Sequence, residues 1–556
     1  MRETDKKQSD WKIMWRLLGL VKPLTPVMVS GILMGVLGFL CAIFLTVAAG
    51  AGITKGLFGF PRSWRMIFSL LLLLAVSRGI LHYGEQYCNH YIAFRLLALI
   101  RHDVFAALRR LCPAKLEGKD KGNLIAIITS DIELLEVFFA HTISPIAIAI
   151  LTSAVMLAFI AHYSVIGALI SLAAYCTIGI LIPLWNGKRN ARYGVEYRDA
   201  FGAMNTFVLD SLYGLDALLQ YGQGKAQAEK MNRRSTELLK LQRILSRFEG
   251  SQRSLTNLCM QGFIWVFFAV MLWGYQNGSL TFSGMLTIDL AMMSSFGPVL
   301  ALSSLSNTLN QTLACGRRVL GLLDEAPMVE EVVDGLDLSF QGAELERVDF
   351  AYPKEDVLKD FSLAVSPGGI YGIHGASGSG KSTVLKLLMR FYDVQKGIVR
   401  ISDHDIREIN TRSLRGMSGY MTQETVLFRG TVASNIAIAD RHATDFEIMS
   451  AAEKAGLKDF IAQLPKGLAS EVGELGDTLS DGEKQRIGLA RIFLHQADFI
   501  LLDEPTSNLD VLNEGIILKS LVQEKKDKTI LLVSHRPGTM AVADTVYEMA
   551  AGKISA

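Results

Sequence analysis

The 556-residue sequence has little charge, and the charge that it has is balanced. Asp, Glu, Lys and Arg make up 20% of the chain, and 56 basic residues stand against 54 acidic ones, for a net charge of +2. Such a balance creates no overall field that would attract nucleic acid or an acidic substrate, so we expect no nucleic-acid partner. The 50% of hydrophobic residues excludes a disordered chain and is too apolar for an ordinary soluble enzyme.

Cysteine is scarce, and its spacing excludes two further classes of protein. The six cysteines form no C-x-x-C pair and no metal-like pattern, which argues against a disulfide framework and against a zinc site. We expect them to be reduced and buried as small apolar residues. The first twenty residues are polar and charged, so no cleaved secretory signal is expected.

Long stretches without charge fill most of the first 320 residues. A helix needs about 20 residues to cross a hydrocarbon core of about 30 Å. Four stretches lack Asp, Glu, Lys and Arg: 23–54, 137–187, 254–288 and 290–316. They give five crossings, because 137–187 is long enough for two. A sixth, less apolar span is predicted at 66–90, and the sequence therefore predicts six transmembrane helices embedded in a lipid bilayer.

Basic residues are unevenly distributed among the predicted connections. The segments 1–22, 101–135 and 188–252 carry most of the Lys and Arg of this half, whereas the turns near 162–164 and 277–282 carry none. Because Lys and Arg favour the cytoplasmic side of a membrane, we expect the N-terminus and the two long insertions to be cytoplasmic. The insertions are rich in helix-forming residues and predict helices that extend beyond the membrane.

The composition changes near residue 340 and divides the chain into four parts. Residues 1–22 are predicted to form an interfacial elbow segment, and 23–320 a transmembrane domain with cytoplasmic helical extensions. A polar linker at 321–342 precedes 343–556, where short β-rich runs alternate with glycine turns and helices. This alternation is typical of an α/β nucleotide-binding domain. The predicted fold class is thus an α-helical membrane domain followed by an α/β domain.

The strongest motif is GASGSGKST, which lies between a predicted strand and a predicted helix. It fits the phosphate-binding P-loop, in which backbone N–H groups and the helix N-terminus surround phosphate oxygens. Lys381 is predicted to reach the β- and γ-phosphates of ATP, and Ser382 to offer its hydroxyl to Mg²⁺. The candidate nucleotide-binding residues of this motif are Gly375, Ser377, Gly378, Gly380, Lys381, Ser382 and Thr383.

A second motif, FILLDEP, follows the P-loop by some 120 residues. It reads as a buried apolar strand that ends in two carboxylates. Asp503 is suited to hold Mg²⁺ through water, and Glu504 to orient or deprotonate an attacking water. A strand-end carboxylate pair is also common as a cap, so its position after a P-loop is what favours catalysis.

The C-terminal half resembles the nucleotide-binding domain of ABC transporters over its whole length, and the resemblance extends beyond these two motifs. It implies that Tyr352 stacks on adenine, that Gln423 is the Q-loop residue and contacts Mg²⁺, and that His535 is the switch histidine. Ser507–Asp510 matches the D-loop. Six spans ahead of one such domain resemble an exporter-type half-transporter, which implies a second half-transporter as partner.

The signature sequence departs from the family pattern. It reads LSDGEKQR, with Asp481 where LSGGQ has its first glycine. The resemblance implies that Ser480 and Gly482 touch the γ-phosphate bound by the opposite subunit. A carboxylate roughly 4–6 Å from that phosphate would cost on the order of a few kcal/mol at an effective dielectric near 20. We therefore favour an asymmetric heterodimer, although a homodimer in which Asp481 points to solvent stays open.

Span 2 carries the ionisable residues of the membrane half. Arg78, His82, Glu85 and Asn89 follow helical spacing and share one face. Ionisable residues in a span usually face a cavity or a partner. The face either meets an anionic or metal-containing cargo or forms a structural network between helices.

The sequence from Asn89 to Arg101 and the stretch that follows it resemble the CydC-type subunit of CydDC transporters. His90 with Phe94 and Arg95 matches a histidine pattern of that family. The resemblance implies a bacterial heterodimer in the cytoplasmic (inner) membrane with its ATPase domain in the cytoplasm, and a cargo of haem or of thiols such as cysteine or glutathione. His90 is then a candidate haem ligand. Asp289, near the predicted outer start of span 6, either contacts cargo or faces interfacial water.

Together these patterns predict ATP-driven transport of a small-molecule cargo by one half of an ABC transporter, with ATP and Mg²⁺ as cofactors and Glu504, His535, Gln423 and Lys381 as catalytic residues. An alternative is an exporter of drugs, lipids or peptides. Another is a regulatory subunit with weak ATP turnover, which Asp481 favours and the intact Glu504 opposes.

Overall fold

The computed structural model describes residues 10–57, 64–117, 121–353, 355–473, 476, 478–507 and 509–555. The chain divides into two compact units. A membrane unit comprises Met1–Arg110 and Lys119–Glu325, and an ATPase unit comprises Ala326–Ala556 together with the short segment Leu111–Gly118.

The membrane unit is built entirely of helices in its described residues. Three short π-helical segments, Ile127–Asp131, Phe139–Ile143 and Thr177–Leu181, join consecutive helices. The helices are α1 (Asp10–Leu20), α2 (Thr25–Leu57), α3 (Trp64–Leu111), α4 (Lys121–Ala126), α5 (Ile132–Phe138), α6 (Ser144–Tyr163), α7 (Val165–Cys176), α8 (Ile182–Tyr213), α9 (Leu215–Gln220), α10 (Gly224–Gln276), α11 (Phe282–Ser294) and α12 (Phe296–Leu323).

Six helical stretches in the described part of the chain are long and apolar enough to cross a membrane, as the sequence predicts. They are Lys22–Thr54, Arg65–Leu111, Gly122–Tyr163, Val165–Gly187, Gly224–Gln276 and Phe282–Ser303. The third and fourth are separated at Ser164, whose side chain caps α7 by accepting a hydrogen bond from Gly167 N at 3.1 Å. A cap at this point ends one crossing and begins the next.

The charge-free stretches 254–288 and 290–316 misplace the boundary between the last two spans, although the predicted turn near 277–282 agrees with the structure. Counting residues between charges places it at Asp289, but α10 ends at Gln276 and α11 begins at Phe282. The turn is formed by polar and glycine residues around Gly278, which adopts a φ of +73°. Asp289 therefore lies two turns inside α11 rather than at its outer start, because the helix tolerates a buried carboxylate that charge counting takes as a limit.

The ATPase unit consists of three sheets and eight helices in its described residues. The strands are β1 (Ala343–Tyr352), β2 (Glu355–Val365), β3 (Gly369–Gly375), β4 (Lys396–Ile401), β5 (His404–Asp405), β6 (Ser418–Met421), β7 (Gly430–Thr431), β8 (Glu471–Val472), β9 (Phe499–Asp503), β10 (Thr529–Ser534), β11 (Thr545–Ala550) and β12 (Lys553–Ser555). The helices are α13 (Lys381–Leu388), α14 (Thr411–Met417), α15 (Val432–Ile436), α16 (Asp445–Lys454), α17 (Lys458–Gln463), α18 (Asp481–His495), α19 (Val511–Glu524) and α20 (Pro537–Met540).

A six-stranded sheet in the order β12-β11-β3-β10-β9-β6 forms the centre of this unit. Four of its five strand pairings are parallel, and the edge strand β12 pairs with β11 in the antiparallel direction. The strands β9 and β10 are buried along their whole length, which explains their uninterrupted apolar sequences FILL and ILLV. An antiparallel sheet in the order β2-β1-β4-β5 completes the α/β fold, and its apolar residues share a core with α13.

Candidate functional site

Four of the sequence motifs meet at one edge of the six-stranded sheet. β3 ends at Gly375, and β9 ends at Asp503. β6 ends two residues before Gln423, and β10 ends one residue before His535. Because the carboxyl ends of parallel strands open on the same crevice, residues separated by more than one hundred positions become neighbours.

The P-loop curls between β3 and α13 with a backbone that requires glycine. Gly378 and Gly380 have φ angles of +80° and +104°, in the region that disfavours other residues. A Cβ on Gly375 would lie 2.2 Å from the carbonyl oxygen of Met549, so no side chain fits there. Ser377 is exposed at the tip of the loop. The loop thus presents backbone N–H groups at the start of a helix, which is a ready anion site.

Lys381 lies inside this loop. Its ammonium donates hydrogen bonds to the carbonyl oxygens of Gly375 and Ala376, both at 2.9 Å, and the residue is only 5% exposed. A buried ammonium needs such partners to offset the loss of hydration. The loop carbonyls therefore hold the charge of Lys381 where phosphate oxygens would meet it.

The oxygen atoms suited to Mg²⁺ are adjacent. Ser382 Oγ donates to Asp503 Oδ1 at 2.9 Å, and Asp503 is 4% exposed. Burial raises the pKa of Asp503 above its ordinary value, and the hydrogen bond from Ser382 acts in the opposite direction. A hydroxyl and a carboxylate side by side match the oxygen ligands that Mg²⁺ prefers, so the residues present fit this ion.

Glu504 is held between the two side chains that the sequence predicts beside it. Gln423 Nε2 donates to Glu504 Oε2 at 3.2 Å, and His535 Nδ1 lies 3.0 Å from Glu504 Oε1. Glu504 itself has a φ of +49°, a backbone conformation that is rare outside glycine. A side-chain clamp together with a strained backbone is typical of a functional residue.

Tyr352 lies close to the end of the P-loop. Its hydroxyl is 3.3 Å from Thr383 Oγ1, and its ring meets the edge of Tyr392 with centroids 5.3 Å apart. The ring is only partly buried. One aromatic face therefore stands beside the phosphate site, as stacking on a base requires.

The signature segment begins α18. Ser480 caps this helix by accepting a hydrogen bond from Glu483 N, and Glu483 Oε2 accepts one from Ser480 N at 2.8 Å. Asp481 is ion-paired with Lys484 at 3.4 Å, and its side chain is 76% exposed. Among the described residues, no hydrogen bond joins Ser480 or Gly482 to the P-loop of the same chain.

Two positioning residues were not predicted. Gln485, on α18, donates from Nε2 to the carbonyl oxygen of Glu504 at 2.7 Å. Arg536 donates to the carbonyl oxygens of Thr506 and Ser507, at 2.9 and 2.5 Å, and so anchors the start of the D-loop. Gln485 is part of the predicted signature LSDGEKQR, and Arg536 directly follows His535, and these positions are their only sequence signal. Asn508 of the D-loop lies outside the described residues.

Glu117 was also missed, because it lies 269 residues from its partner in the chain. It belongs to the segment that packs with the ATPase unit. Lys386 Nζ and the hydroxyl of Tyr392 each donate to its carboxylate at 2.5 Å. Burial tends to raise the pKa of Glu117, but these two hydrogen bonds outweigh it and hold the pKa below its ordinary value. Since Lys386 follows the P-loop and Tyr392 touches Tyr352, this carboxylate stabilises both sides of the nucleotide site.

The predicted polar face of span 2 is only partly buried. Glu85 and Asn89 are buried on α3, whereas Arg78 and His82 are exposed. The structure brings His82 Nδ1 within 3.1 Å of Glu85 Oε2. The shared helical face is therefore divided into an exposed half and a buried half.

His90 lies one turn beyond this pair and meets a second histidine. Its ring is 5.5 Å from the ring of His141, centroid to centroid, and stacks on Phe94 at 5.9 Å. Its buried Nδ1 has no hydrogen-bond partner among the described residues, and Glu136 Oε1 lies 3.8 Å away. The two imidazoles, one on α3 and one on the π-helical segment that holds His141, thus meet edge to face.

Two family models match the chain, one for each unit. Residues 358–507 match the family described as ABC transporter, and residues 24–300 match the ABC transporter transmembrane region. The chain is similar over 96% of its length to a bacterial Atm1-family ABC exporter solved with ATP bound, with a TM-score of 0.84, 24% identity and 95% of that chain covered. This likeness establishes the fold.

Named relatives match over nearly the whole chain. A probable ABC transporter ATP-binding/permease protein of Haemophilus influenzae is 46% identical, with 99% of this chain and 100% of the relative covered. An ATP-dependent lipid A-core flippase of Syntrophus aciditrophicus is 28% identical, with 87% of this chain and 81% of the relative covered. The chain therefore belongs to the ABC transporters, as a fused membrane and ATP-binding half-transporter of exporter fold that couples ATP hydrolysis to transport.

Proposed function

We propose that this chain is one half of a dimeric exporter that moves a hydrophobic or amphipathic cargo across the cytoplasmic membrane of a bacterium. The observation that carries the ATP-driven part is the clamped carboxylate of Glu504, 3.2 Å from Gln423 Nε2 and 3.0 Å from His535 Nδ1. This arrangement favours an active hydrolase over a subunit that only binds ATP.

The side chains around the P-loop divide the chemistry among them. Lys381 and the loop N–H groups bind the phosphates and stabilise the charge that develops on them. Ser382 and Asp503, with Gln423 beside them, would hold Mg²⁺, which when bound draws negative charge from the phosphate oxygens. Tyr352 stacks on adenine.

Glu504 provides the base in this scheme. Its carboxylate orients the attacking water and accepts its proton. Gln423 and His535 fix the two carboxylate oxygens of Glu504. Gln485 Nε2 fixes its backbone by donating to the carbonyl oxygen at 2.7 Å. A base held from three sides needs little reorganisation at the moment of reaction, which is the physical source of its effect.

A second subunit completes each ATP site in this proposal. ABC exporters act as dimers, and Ser480 with Gly482 stands at the free N-terminus of α18, where a partner's phosphate can meet it. Asp481 adds a negative charge at that point. We therefore favour a heterodimer in which this signature faces the weaker of two sites.

Replacing Asp481 by Gly is expected to lower the ATP concentration that gives half the maximal rate. Lys484 and solvent screen the carboxylate, so we expect a change of about threefold to tenfold. The measurement is ATPase rate against ATP concentration for the assembled dimer. Asp481→Asn separates charge from size, since it removes only the charge. Identical curves for all three proteins would contradict an asymmetric pair.

The proposed cargo class draws on the relatives. The relative from Syntrophus aciditrophicus is named for the flipping of lipid A-core, an amphipathic molecule. A transporter of lipids or other amphiphiles is consistent with this relative.

Haem is a second candidate, favoured by the pair of His90 and His141. Imidazoles are common ligands of haem iron, and here two of them lie 5.5 Å apart, one with a ring nitrogen that forms no hydrogen bond among the described residues. The CydC resemblance also implies thiols such as cysteine or glutathione as cargo. Among the described residues of α3, we identify no binding group for a thiol that would correspond to the histidine pair for haem. The haem hypothesis thus makes a separate prediction about His90.

If haem is the cargo, His90→Ala is expected to abolish a shift of the Soret band when haem is added to the purified transporter. ATPase rate in lipid vesicles is measured in parallel with haem and with a lysophospholipid. Stimulation by the lipid alone supports the amphiphile, and stimulation by haem that His90→Ala removes supports haem. His102→Ala, an exposed histidine on the same helix, is the control. Stimulation by neither compound would contradict both cargo proposals.

A further inference from the structure

Asp289 is a buried carboxylate in the membrane unit. It lies on α11, within the sixth candidate span, and is 7% exposed. Neither of its carboxylate oxygens has a hydrogen-bond partner among the described residues. Placing an ionisable side chain inside a membrane span costs free energy, and such residues usually have a function. We therefore expect this carboxylate to bind a ligand or a proton.

The nearest side chains to Asp289 on its own face of α11 are apolar and include two flexible methionines. Met285 and Met292 lie one turn before and one turn after it on the same side of α11, and both are buried. They belong to one hydrophobic cluster with Phe267, Tyr175 and aromatic Phe296. The only polar contact described at Tyr175 is with Ser295 Oγ, so its hydroxyl is already engaged.

In the part of the chain that the structure describes, no basic side chain pairs with this carboxylate. The helices that pack on α11 are α2, α6, α10 and α12. Within membrane depth, at 25–54, 144–163, 254–276 and 296–316, these helices contain no Lys or Arg. Their titratable groups there are His162, tyrosines 163 and 275, and cysteines 41, 259 and 315. His162 is exposed at the end of α6.

We propose that Asp289 recognises a positively charged group on the transported molecule, so that the cargo includes hydrophobic organic cations. An unpaired carboxylate in an apolar site gains most from a cation that brings its own apolar shell. Aromatic faces attract such cations, and methionines adapt to ligands of different shape. The inference rests on the proposed export of hydrophobic or amphipathic cargo and adds that this cargo includes positively charged molecules.

The test uses tetraphenylphosphonium as probe and the full chain in phosphatidylcholine vesicles, with any subunit that co-purifies. Removal of one partner of a buried charge pair typically weakens binding by at least about tenfold, which is the expected loss in Asp289→Asn. Asp289→Glu is expected to keep most of the affinity. Asp199→Asn, exposed on α8, is expected to bind like the wild type. Tetraphenylborate is an anion of the same shape, and we expect the wild type to bind it no more tightly than Asp289→Asn does.

The outcomes separate this inference from the proposed function. Equal binding of tetraphenylphosphonium by the wild type and Asp289→Asn would overturn it and would indicate a carboxyl that is simply protonated. Size-exclusion chromatography and nucleotide binding show whether Asp289→Asn is folded. If it is not, Asp289→Leu replaces it, because an apolar side chain suits this site, and it is expected to lose the same affinity. Stimulation of ATPase by an uncharged amphiphile without binding of the cation would leave export standing and remove the cation site.

Discussion

Replacing Glu504 by Gln is expected to lower kcat by about 10²–10⁴-fold, the usual contribution of a general base. The amide cannot accept the proton of the attacking water, although it keeps the shape of the side chain and can still face Gln423 and His535. ATP binding is expected to survive, because the P-loop, Lys381 and Asp503 are untouched. Steady-state ATPase rates and binding of a fluorescent ATP analogue measure the two effects separately.

The matched control is Glu471→Gln, a glutamate exposed on β8 away from the P-loop, for which no change in kcat is expected. A Glu504→Gln protein that turns over ATP at the wild-type rate would show that another group activates the water. Loss of ATP binding in the same variant would instead indicate that Glu504 supports the loop rather than the reaction.

Replacing Lys381 by Ala is expected to have the opposite profile, with ATP binding weakened by about 10²-fold or more. Hydrogen bonds that involve a charged group contribute about 1.5–3 kcal/mol each, and this ammonium would serve two phosphates. Its removal also leaves the carbonyl oxygens of Gly375 and Ala376 without the donor that they now share at 2.9 Å. Equilibrium binding of ATP with Mg²⁺ is the measurement.

Lys466→Ala, at an exposed position of the same unit, serves as the control and is expected to bind ATP normally. Wild-type affinity in Lys381→Ala would contradict the proposed phosphate contact. Thermal unfolding without nucleotide distinguishes a lost contact from a collapsed loop, because only the latter lowers the melting temperature of the free protein.

Patterns that lie within a few consecutive turns could be predicted from the sequence. The P-loop is one, since the glycines at 378 and 380 and the lysine at 381 stand in a fixed local spacing, and both glycines have a positive φ. The number of spans is another, because length and hydropathy decide whether a helix crosses a membrane. The position of Asp289 within its span was predicted wrongly, because counting residues between charges treats every carboxylate as the end of a span.

The sequence by itself determined the membrane helices, the α/β alternation and the nucleotide motifs, because each depends on neighbours a few residues apart. Only the tertiary structure decided which distant side chains meet: Glu504 with Gln423 and His535, and Glu117 with Lys386. It also decided that Glu85 and Asp289 are buried while Arg78 is exposed. Strand order and helix packing set these distances, and neither follows from the local periodicity of a chain.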